Sequence, residues 1–287
     1  MEQKQRKTGL VMEGGAMRGM FTCGVIDVFM ENGVAFDGAA GISAGAAFGC
    51  NFKSRQVGRP LRYNQRFCRD RRYCSLWSLL RTGDLYGADF CYRILPDELD
   101  VFDRAAFREN PMAFYIGATD VNTGQIVYHL CSDGGEEDVQ WMRASASMPL
   151  VSRPVKIGEK LLLDGGISDP VPYAFLEAQG YGPCVAVLTQ PRGYRKKQSA
   201  ALPLLRLPLK KYPRIAEALA ARPALYNGQM EEIDRREKEG TLLVLRPPAP
   251  LAIGHTEKDP RELERVYQIG RREALGRLKE VGEWLRR

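Results

Sequence analysis

The stretch Phe36–Phe48, FDGAAGISAGAAF, joins a short apolar run to an alanine-rich run through the pentapeptide GISAG. Small residues at Gly41 and Gly45 allow a strand to turn sharply into a helix, and a serine at such a turn is held with its oxygen exposed. The order of strand, G-x-S-x-G and helix therefore predicts that Ser43 is a nucleophile. The alternative is a tight turn of small residues without chemistry.

A glycine-rich loop precedes this turn, between a predicted strand over residues 8–12 and a predicted helix that ends near Asn32. The residues of the loop are Gly14, Gly15, Ala16, Met17, Arg18 and Gly19. Free N–H groups in such a loop can converge on negative charge. The loop has neither the G-x-G-x-x-G spacing nor the G-K-[ST] ending of nucleotide-binding loops. We therefore expect Gly14, Gly15 and Ala16 to form an oxyanion hole, with a simple helix-packing turn as the alternative.

A serine nucleophile needs a base, and two Asp-Gly-Gly tripeptides offer a carboxylate. Asp133 stands between Cys-Ser and a run of acidic residues, which is typical of an exposed turn. Asp164 ends the apolar run Leu161–Leu163 and is followed by Gly165 and Gly166. A carboxylate at a strand end is partly desolvated, which raises its pKa toward a value useful in catalysis. Asp164 is therefore the predicted base.

The chain has two histidines, and either one is an alternative base. The order Ser43, Asp164, His255 is that of an α/β-hydrolase triad. Against this alternative, the serine turn comes after a single strand and helix, and His255 lies in a Gly-His-Thr turn of the C-terminal segment. His129 is the weaker of the two candidates. We expect catalysis to need neither histidine.

Strands mixed with helices predict an α/β layered fold. We expect residues 1–195 to form the hydrolase domain and residues 196–287 to form a mainly helical C-terminal extension. The remaining predicted strands are 113–119, 125–130, 154–157, 160–163, 185–189 and 241–245. The predicted helices are at about 138–146, 212–239 and 260–287. Residues 56–110 are predicted to be mostly helical and are rich in basic residues.

Composition excludes several classes of protein. The chain has 287 residues, of which 44% are hydrophobic and 27% charged, as in ordinary globular domains. It contains no apolar run of about 18 residues that would span a membrane, and its N-terminus lacks the apolar core of a signal peptide. The seven cysteines form no C-x-x-C pair, which argues against zinc and against a disulfide framework. We expect no metal or cofactor and a cytoplasmic location.

The formal net charge of +7 is unevenly distributed. Eight basic residues lie between Lys53 and Arg72, where the single acidic residue is Asp70. Such a run is most often a solvated helix face, but it also suits contact with an anionic membrane and, less well, with nucleic acid. Peripheral membrane contact is therefore a prediction, whereas specific nucleic-acid binding is not expected.

Together these motifs resemble the patatin-like phospholipase family over about residues 8–190. That family has a glycine-rich oxyanion loop, a G-x-S-x-G turn about thirty residues later, and a D-G-[GA] aspartate that completes a Ser-Asp dyad. The segment Ala144–Pro149 resembles the small-residue stretch before that aspartate, and Asp169–Pro172 resembles the proline-bearing stretch after it. The resemblance implies a three-layer α/β/α fold with a central, mostly parallel sheet.

The resemblance also implies an activity: hydrolysis of fatty acyl esters of lipids or lysolipids through an acyl-enzyme on Ser43, without a cofactor. The departure from the family is Ala16, where a third glycine is usual. A positive φ at Ala16 would cost about 1 kcal/mol or more. The alternatives are a catalytically silent lipid-binding module of the same fold and an enzyme that transfers the acyl group to another alcohol.

Overall fold

A computed structural model describes residues 6–198 and 209–287. In this part of the chain eight strands form one sheet. The strands are β1 (Lys7–Met12), β2 (Gly38–Ile42), β3 (Ala113–Asp120), β4 (Ile126–Leu130), β5 (Val155–Ile157), β6 (Lys160–Asp164), β7 (Tyr181–Val187) and β8 (Leu243–Leu245). Their order is β5-β6-β3-β2-β1-β7-β8, and β4 also pairs with β3. Every strand predicted from the sequence is confirmed, with ends displaced by a few residues.

The helices are α1 (Gly19–Glu31), α2 (Ala44–Lys53), α3 (Arg59–Phe67), α4 (Leu76–Thr82), α5 (Arg104–Glu109), α6 (Glu136–Ser145), α7 (Tyr173–Ala178), α8 (Pro213–Lys238) and α9 (Pro260–Leu285). Residues Phe90–Leu99 form a π-helix, and Ala16–Arg18 and Gly165–Ile167 form single 3₁₀ turns. The predicted helices over 138–146, 212–239 and 260–287 correspond to α6, α8 and α9. None of the described helices combines the length and the apolar character that crossing a bilayer requires.

The central strands are parallel and buried on both faces. β1 pairs in parallel with β2 on one side and with β7 on the other. Because side chains alternate along a strand, Leu10 and Met12 belong to the core beneath α1, α2 and α9, whereas Val11 belongs to the core beneath α7 and α8. The prediction of a three-layer α/β/α fold with a mostly parallel sheet is confirmed.

One edge of the sheet is antiparallel, and this edge positions the site. β3 is parallel to β2 but antiparallel to both β4 and β6. Ile42 at the end of β2 pairs with Gly117 of β3, and the adjacent Ala118 pairs with Asp164 at the end of β6. Ser43 and Asp164 are far apart in the chain, but Ser43 directly follows β2 and Asp164 ends β6, and the ends of these two strands pair with adjacent residues of β3.

The C-terminal extension is mainly helical, as expected, and it also completes the core. β8 adds to the sheet in parallel with β7. Helix α9 lies so close to α1 that a Cβ on Gly24 would overlap the Tyr267 carbonyl oxygen, and a Cβ on Gly270 would overlap that of Phe21. The domain boundary between residues 195 and 196 stays a prediction; the segments on either side of it share one sheet.

The basic run over residues 53–72 does not form one solvated face. Lys53 is buried, and its Nζ donates to two backbone carbonyls. Arg59 is also buried, within 3.3 Å of the Asp100 carboxylate. Arg72 is exposed but paired with Asp70 at 2.7 Å. Interpreting the run as a solvated face was therefore wrong for Lys53 and Arg59, whose charges stabilise the interior, whereas the other six basic residues of the run are exposed.

Candidate active site

Ser43 lies at the turn from β2 into α2 with φ +55° and ψ −118°, a strained conformation for a residue with a side chain. Two glycines make the turn possible because backbone passes directly against them. A Cβ on Gly41 would overlap the Gly45 carbonyl oxygen, and a Cβ on Gly45 would overlap that of Met12 at the end of β1. Both motif glycines are thus required by close packing around the serine.

The other motif glycines serve the same purpose. Gly19 opens α1, where a Cβ would stand 2.9 Å from the Cβ of Ala44. A Cβ on Gly165 would overlap the carbonyl oxygen of Gly117 in β3. These close approaches bring the glycine-rich loop, the serine turn and the D-G-G segment together.

The segment Ala144–Pro149 holds both halves of the site. The Ser145 hydroxyl accepts a hydrogen bond from the Ser43 backbone N–H at 2.8 Å and donates to the Gly117 carbonyl at 2.6 Å. Two residues later, the Ser147 carbonyl accepts from the Asp164 N–H at 2.8 Å. The sequence indicated this segment only through the family resemblance, because its contacts are made across the fold.

Asp164 is 2% exposed and faces the serine. Its Oδ1 accepts from the Gly166 N–H at 2.7 Å. Burial raises the pKa of Asp164, while the positive charge of Arg222, the nearby Ser43 hydroxyl and the bond from Gly166 oppose that rise. The Asp164 carboxyl group is therefore buried next to the Ser43 hydroxyl, and its pKa is raised.

The glycine-rich loop lies directly over Ser43. A Cβ on Gly14 would stand 2.9 Å from the Ser43 Cβ. No backbone carbonyl in the described part of the chain accepts from the N–H groups of Gly14, Gly15 or Ala16, so these donors are free to bind an oxyanion. Ala16 adopts φ +49°. It therefore carries the strain of about 1 kcal/mol or more that a side chain incurs there.

Asp133 and His129 lie away from the pocket that contains Ser43. Asp133 is exposed, and its Oδ1 accepts from the Gly135 N–H at 2.9 Å. His129 Nε2 is 2.7 Å from Asp138 Oδ1, and its ring stacks on Trp141. Both residues have local structural partners.

His129, Cys131 and Asp138 bring three potential metal-ligating atoms within 4.8 Å of one another. Their hydrogen bonds account for this arrangement. Asp138 Oδ1 is bonded to His129, and Oδ2 accepts three backbone N–H groups, from residues 132, 133 and 134. Burial raises the pKa of the Cys131 thiol, which disfavours the thiolate that a metal would need.

His255 lies at the rim of the pocket that contains Ser43, although the sequence placed it in a distant turn. Its ring is exposed and makes no hydrogen bond within the described residues, and its backbone carbonyl accepts from the Tyr86 hydroxyl at 2.8 Å. Although His255 is exposed by surface area, the atoms of the pocket rim partly desolvate its ring. This desolvation, followed by the charges of Arg18 and Lys196, lowers the pKa of His255. A triad histidine is hydrogen-bonded to the serine and to the aspartate, and within the described residues the His255 ring is bonded to neither Ser43 nor Asp164.

The pocket has a volume of about 490 Å³. Its apolar lining includes Phe48, Tyr63, Tyr73, Leu95, Phe102 and Met142. Three cations, Arg18, Lys196 and Arg222, line it as well. No sequence motif indicated Lys196 or Arg222, because both come from the segment beyond the motifs.

Two family models match the chain. The patatin-like phospholipase model matches residues 10–176, more than half of the chain. A domain of unknown function, DUF6363, matches residues 212–286, which contain α8, β8 and α9. The two matches divide the chain between the motif-bearing part and the extension.

Several curated proteins are similar in sequence. "Uncharacterized protein YjjU" of Escherichia coli (strain K12) is 32% identical over 193 residues, covering 64% of this chain and 52% of that protein. "Lysophospholipase NTE1" of Coccidioides immitis (strain RS) is 25% identical over 293 residues, covering 96% and 18%. "Uncharacterized NTE family protein MT2641" of Mycobacterium tuberculosis (strain CDC 1551 / Oshkosh) is 29% identical over 191 residues, covering 63% and 30%.

The chain thus spans about half, or less, of the length of these relatives. The match over residues 10–176 includes the glycine-rich loop, the Ser43 turn and Asp164. On that match, this chain belongs to the patatin-like phospholipase family.

Proposed function

We propose that this chain is a serine acyl hydrolase that cleaves fatty acyl esters of lipids, with Ser43 as nucleophile and Asp164 as base. One observation carries the proposal: a strained, pocket-facing Ser43 lies beside a buried carboxylate and beneath free backbone N–H groups. Family membership supports the reaction class, and the name of the Coccidioides relative supports lysolipids among the substrates.

In the first half-reaction, Asp164 takes the hydroxyl proton as Ser43 Oγ bonds to the ester carbonyl carbon. The carbonyl electron pair moves onto oxygen, where the N–H groups of Gly14, Gly15 and Ala16 stabilise it. When the carbonyl re-forms, the bond to the alcohol oxygen breaks and the alcohol leaves with the proton held by Asp164. The acyl group remains on Ser43.

In the second half-reaction, a water gives a proton to Asp164 while its oxygen attacks the acyl carbon. The oxyanion again lies against the loop. The Ser43 ester bond then breaks, Ser43 Oγ recovers the proton, and the fatty acid leaves. An alcohol in place of water would give acyl transfer by the same steps. The ratio of free fatty acid to newly formed ester, measured in water with an added alcohol, separates hydrolysis from acyl transfer.

A fluorophosphonate probe tests the nucleophile. We expect labelling at Ser43, identified by mass spectrometry of the peptide, and loss of both labelling and esterase activity in Ser43→Ala. Label on another serine would refute the assignment. A folded wild-type protein that neither labels nor hydrolyses any ester would favour the silent lipid-binding module.

The assignment of the base has a matched control within the chain, because Asp133 and Asp164 both head an Asp-Gly-Gly tripeptide. Asp164→Asn should lower kcat by several orders of magnitude, since the acceptor of the serine proton is lost. Asp133→Asn should retain most activity, because Asp133 is exposed and outside the pocket. The reverse ranking would mean that the base was misassigned.

We further propose that the chain docks on anionic membranes through α4, which replaces the 53–72 run as the candidate surface. Leu76 is 73% exposed and Leu80 is 88% exposed on this helix. Trp77 lies between them, with the guanidinium groups of Arg71 and Arg81 over its ring at 5.9 and 5.3 Å. Apolar side chains flanked by arginine are typical of a surface that enters an anionic interface.

The docking surface lies next to the pocket. The Ser75 N–H at the start of α4 donates to the Leu85 carbonyl, and the Leu85 N–H donates to the Val151 carbonyl at 2.7 Å. Leu85 and Val151 both line the pocket. Docking through α4 would therefore bring the pocket close to the lipid from which a substrate enters.

Co-sedimentation with vesicles tests this surface. We expect binding to anionic vesicles that weakens at high salt, since surface charge is screened over about 10 Å at 0.1 M. Leu80→Asp should weaken binding about 10-fold or more, because a leucine that enters the interface contributes about 1.5 to 3 kcal/mol. The control is Leu275→Asp, at an exposed leucine of α9. Membrane docking would be refuted if binding did not depend on salt, or if both variants lost binding equally. It would also be refuted if the protein formed an oligomer without lipid and Leu80→Asp dissociated that oligomer.

A further inference from the structure

One face of α8 is hydrogen-bonded to the segments that surround Ser43. Three bonds leave this face: from Arg222 Nε to the Gly166 carbonyl (2.5 Å), from the Tyr226 hydroxyl to Glu13 Oε1 (2.8 Å), and from Gln229 Nε2 to Asp169 Oδ1 (2.7 Å). The three donors are spaced by four and three residues, so they lie side by side on the helix. Their acceptors lie in the D-G-G turn, directly before the glycine-rich loop, and in the proline-bearing stretch. Helix α8 therefore links the extension to both sides of the candidate active site.

The ring of Tyr226 is packed independently of its hydroxyl. The residue is 2% exposed, its ring meets Tyr194 edge to face at a centroid distance of 5.9 Å, and Lys196 Nζ lies 4.8 Å from its ring centroid. Burial, followed by the negative charge of Glu13, raises the pKa of Tyr226, so the hydroxyl keeps the proton that it donates to Glu13. Tyr226→Phe therefore removes the bond to Glu13 and leaves the ring packing in place.

Glu13 connects Tyr226 to the glycine-rich loop through Thr189. Glu13 Oε2 accepts from the Thr189 N–H at 2.6 Å. The Thr189 hydroxyl lies 3.1 Å from the Gly14 carbonyl oxygen, to which it donates, and 3.2 Å from Glu13 Oε2. The peptide between Gly14 and Gly15 is trans, so its N–H points away from its carbonyl. Holding the Gly14 carbonyl against Thr189 therefore fixes the direction of the Gly15 N–H.

We propose that Tyr226 is a positioning residue that fixes the Gly15 N–H in the oxyanion hole. It acts through Glu13 and Thr189 and touches neither the substrate ester nor Ser43. This inference rests on the proposed acyl hydrolase function. Thr189 and Tyr226 both lie beyond residues 10–176, the part of the chain that matches the patatin-like phospholipase model. The extension thus has a role in catalysis that the sequence motifs do not contain.

The glycine-rich loop needs this support because its backbone is strained. Ala16 adopts φ +49°, and such a conformation persists only where the surrounding structure over-determines it. An oxyanion donor is effective only when it is aimed in advance at the developing charge, and loss of one donor lowers kcat about 10²- to 10³-fold. A donor that is present but misaimed loses part of this effect. We therefore expect Tyr226→Phe to lower kcat about 10-fold or more.

Tyr267 of α9 provides a matched control. Its hydroxyl donates to Asp27 Oδ2 at 2.8 Å, the same distance as from Tyr226 to Glu13. Both tyrosines thus join a helix of the extension to a buried carboxylate near the N-terminus. Within the described residues, neither Tyr267 nor Asp27 lines the pocket that contains Ser43. Tyr267→Phe should lower the midpoint of urea denaturation, as Tyr226→Phe does, but should leave kcat unchanged.

Two inhibitors of the same chain length separate the aim of the oxyanion hole from binding in the pocket. With a trifluoromethyl ketone, Ser43 Oγ bonds to the carbonyl carbon, Asp164 takes the hydroxyl proton, and the carbonyl electron pair becomes an oxyanion against the glycine-rich loop. The corresponding methyl ketone adds serine far less readily and reports binding alone. In Tyr226→Phe we expect Ki for the trifluoromethyl ketone to rise about 10-fold or more and Ki for the methyl ketone to change less than about 2-fold, because only the adduct uses the oxyanion hole.

Thr189 tests the middle of this path. Thr189→Val removes the hydroxyl that holds the Gly14 carbonyl, so it should reproduce the effects of Tyr226→Phe on kcat and on both ketones. Thr189→Ser keeps a hydroxyl and should retain most of kcat. Each rate is divided by the fraction of Ser43 that a fluorophosphonate labels, so that misfolded protein does not lower the measured kcat.

The proposal is overturned if Tyr226→Phe equals Tyr267→Phe in kcat and in Ki for the trifluoromethyl ketone, or if Thr189→Val leaves kcat unchanged. It is also overturned if Ki for both ketones rises equally in Tyr226→Phe, which would make Tyr226 a binding residue. In these cases a wild type that is labelled at Ser43 and hydrolyses esters leaves the hydrolase proposal standing. A wild type that is neither labelled nor active refutes both proposals.

Discussion

Removal of the charge at Arg222 should move the acid limb of the pH–rate profile, because Arg222 favours the ionised form of Asp164. Asp164 Oδ1 lies 3.0 Å, and Arg222 Nη2 lies 3.4 Å, from the point where a Cβ would stand on Gly166. The two atoms are therefore at most about 6.4 Å apart, the sum of those distances. At that separation, opposite unit charges attract by about 0.6 kcal/mol in bulk water and about 2.6 kcal/mol at an effective dielectric constant of 20.

Loss of this attraction raises the pKa of Asp164, so a higher pH is needed to ionise it. In Arg222→Met we therefore expect the acid limb of kcat/KM to move upward by about 0.5 to 2 pH units, since 1.36 kcal/mol corresponds to one pH unit. The assay uses a short, neutral chromogenic ester between pH 4 and 9, so that the positive charge of Arg222 makes no ion pair with the substrate. The acid limb of kcat/KM reports the free enzyme.

Two variants control for the structural effect of the substitution. Arg222→Lys keeps a positive charge and should leave the limb closer to that of the wild type than Arg222→Met does. Arg214→Met removes an exposed charge from the same helix, where Arg214 pairs with Glu217, and should not move the limb. An unmoved limb in Arg222→Met, or equal movement in Arg222→Met and Arg222→Lys, would refute the electrostatic reasoning.

The double variant His129→Gln/His255→Gln should keep at least about a tenth of wild-type kcat/KM, whereas removal of a triad histidine would lower the rate about 10³-fold. A loss that large in a stably folded protein would favour the α/β-hydrolase mechanism. Gly270→Ala should lower the free energy of unfolding by about 1 to 3 kcal/mol in urea titrations, because the added Cβ overlaps α1. Gly276→Ala, with no neighbour within 4 Å, should not. Ala16→Gly should raise the free energy of unfolding by up to about 1 kcal/mol by relieving positive φ, and a decrease would contradict the inferred strain.

The role of the extension changes how the whole chain is interpreted. Sequence alone predicted a mainly helical addition, with one short strand over residues 241–245, after the hydrolase motifs. In the structure it supplies β8 to the sheet and two cations to the pocket. Removing it would therefore expose the β7 edge and the face of α1 that contacts α9, as well as change the pocket.

The sequence by itself determined the local features. Strand, turn and helix around Ser43 could be predicted because their signals lie within a few residues: an apolar run, glycines where backbone passes closely, and an alanine-rich helix. The preference for Asp164 over Asp133 followed in the same way, since an apolar run before an aspartate indicates a buried strand end. The structure agrees that Asp164 is buried and Asp133 exposed.

Only the tertiary structure decided which distant residues meet. The pairing of β3 with both β2 and β6 brings Ser43 and Asp164 together, and no local pattern specifies that register. The same is true of Lys196 and Arg222, which reach the pocket from beyond the motifs, and of Lys53 and Arg59, whose burial removes them from the predicted basic face. The physical reason is that periodicity fixes which face of an element is apolar, whereas long-range packing fixes what that face, and each charge, lies against.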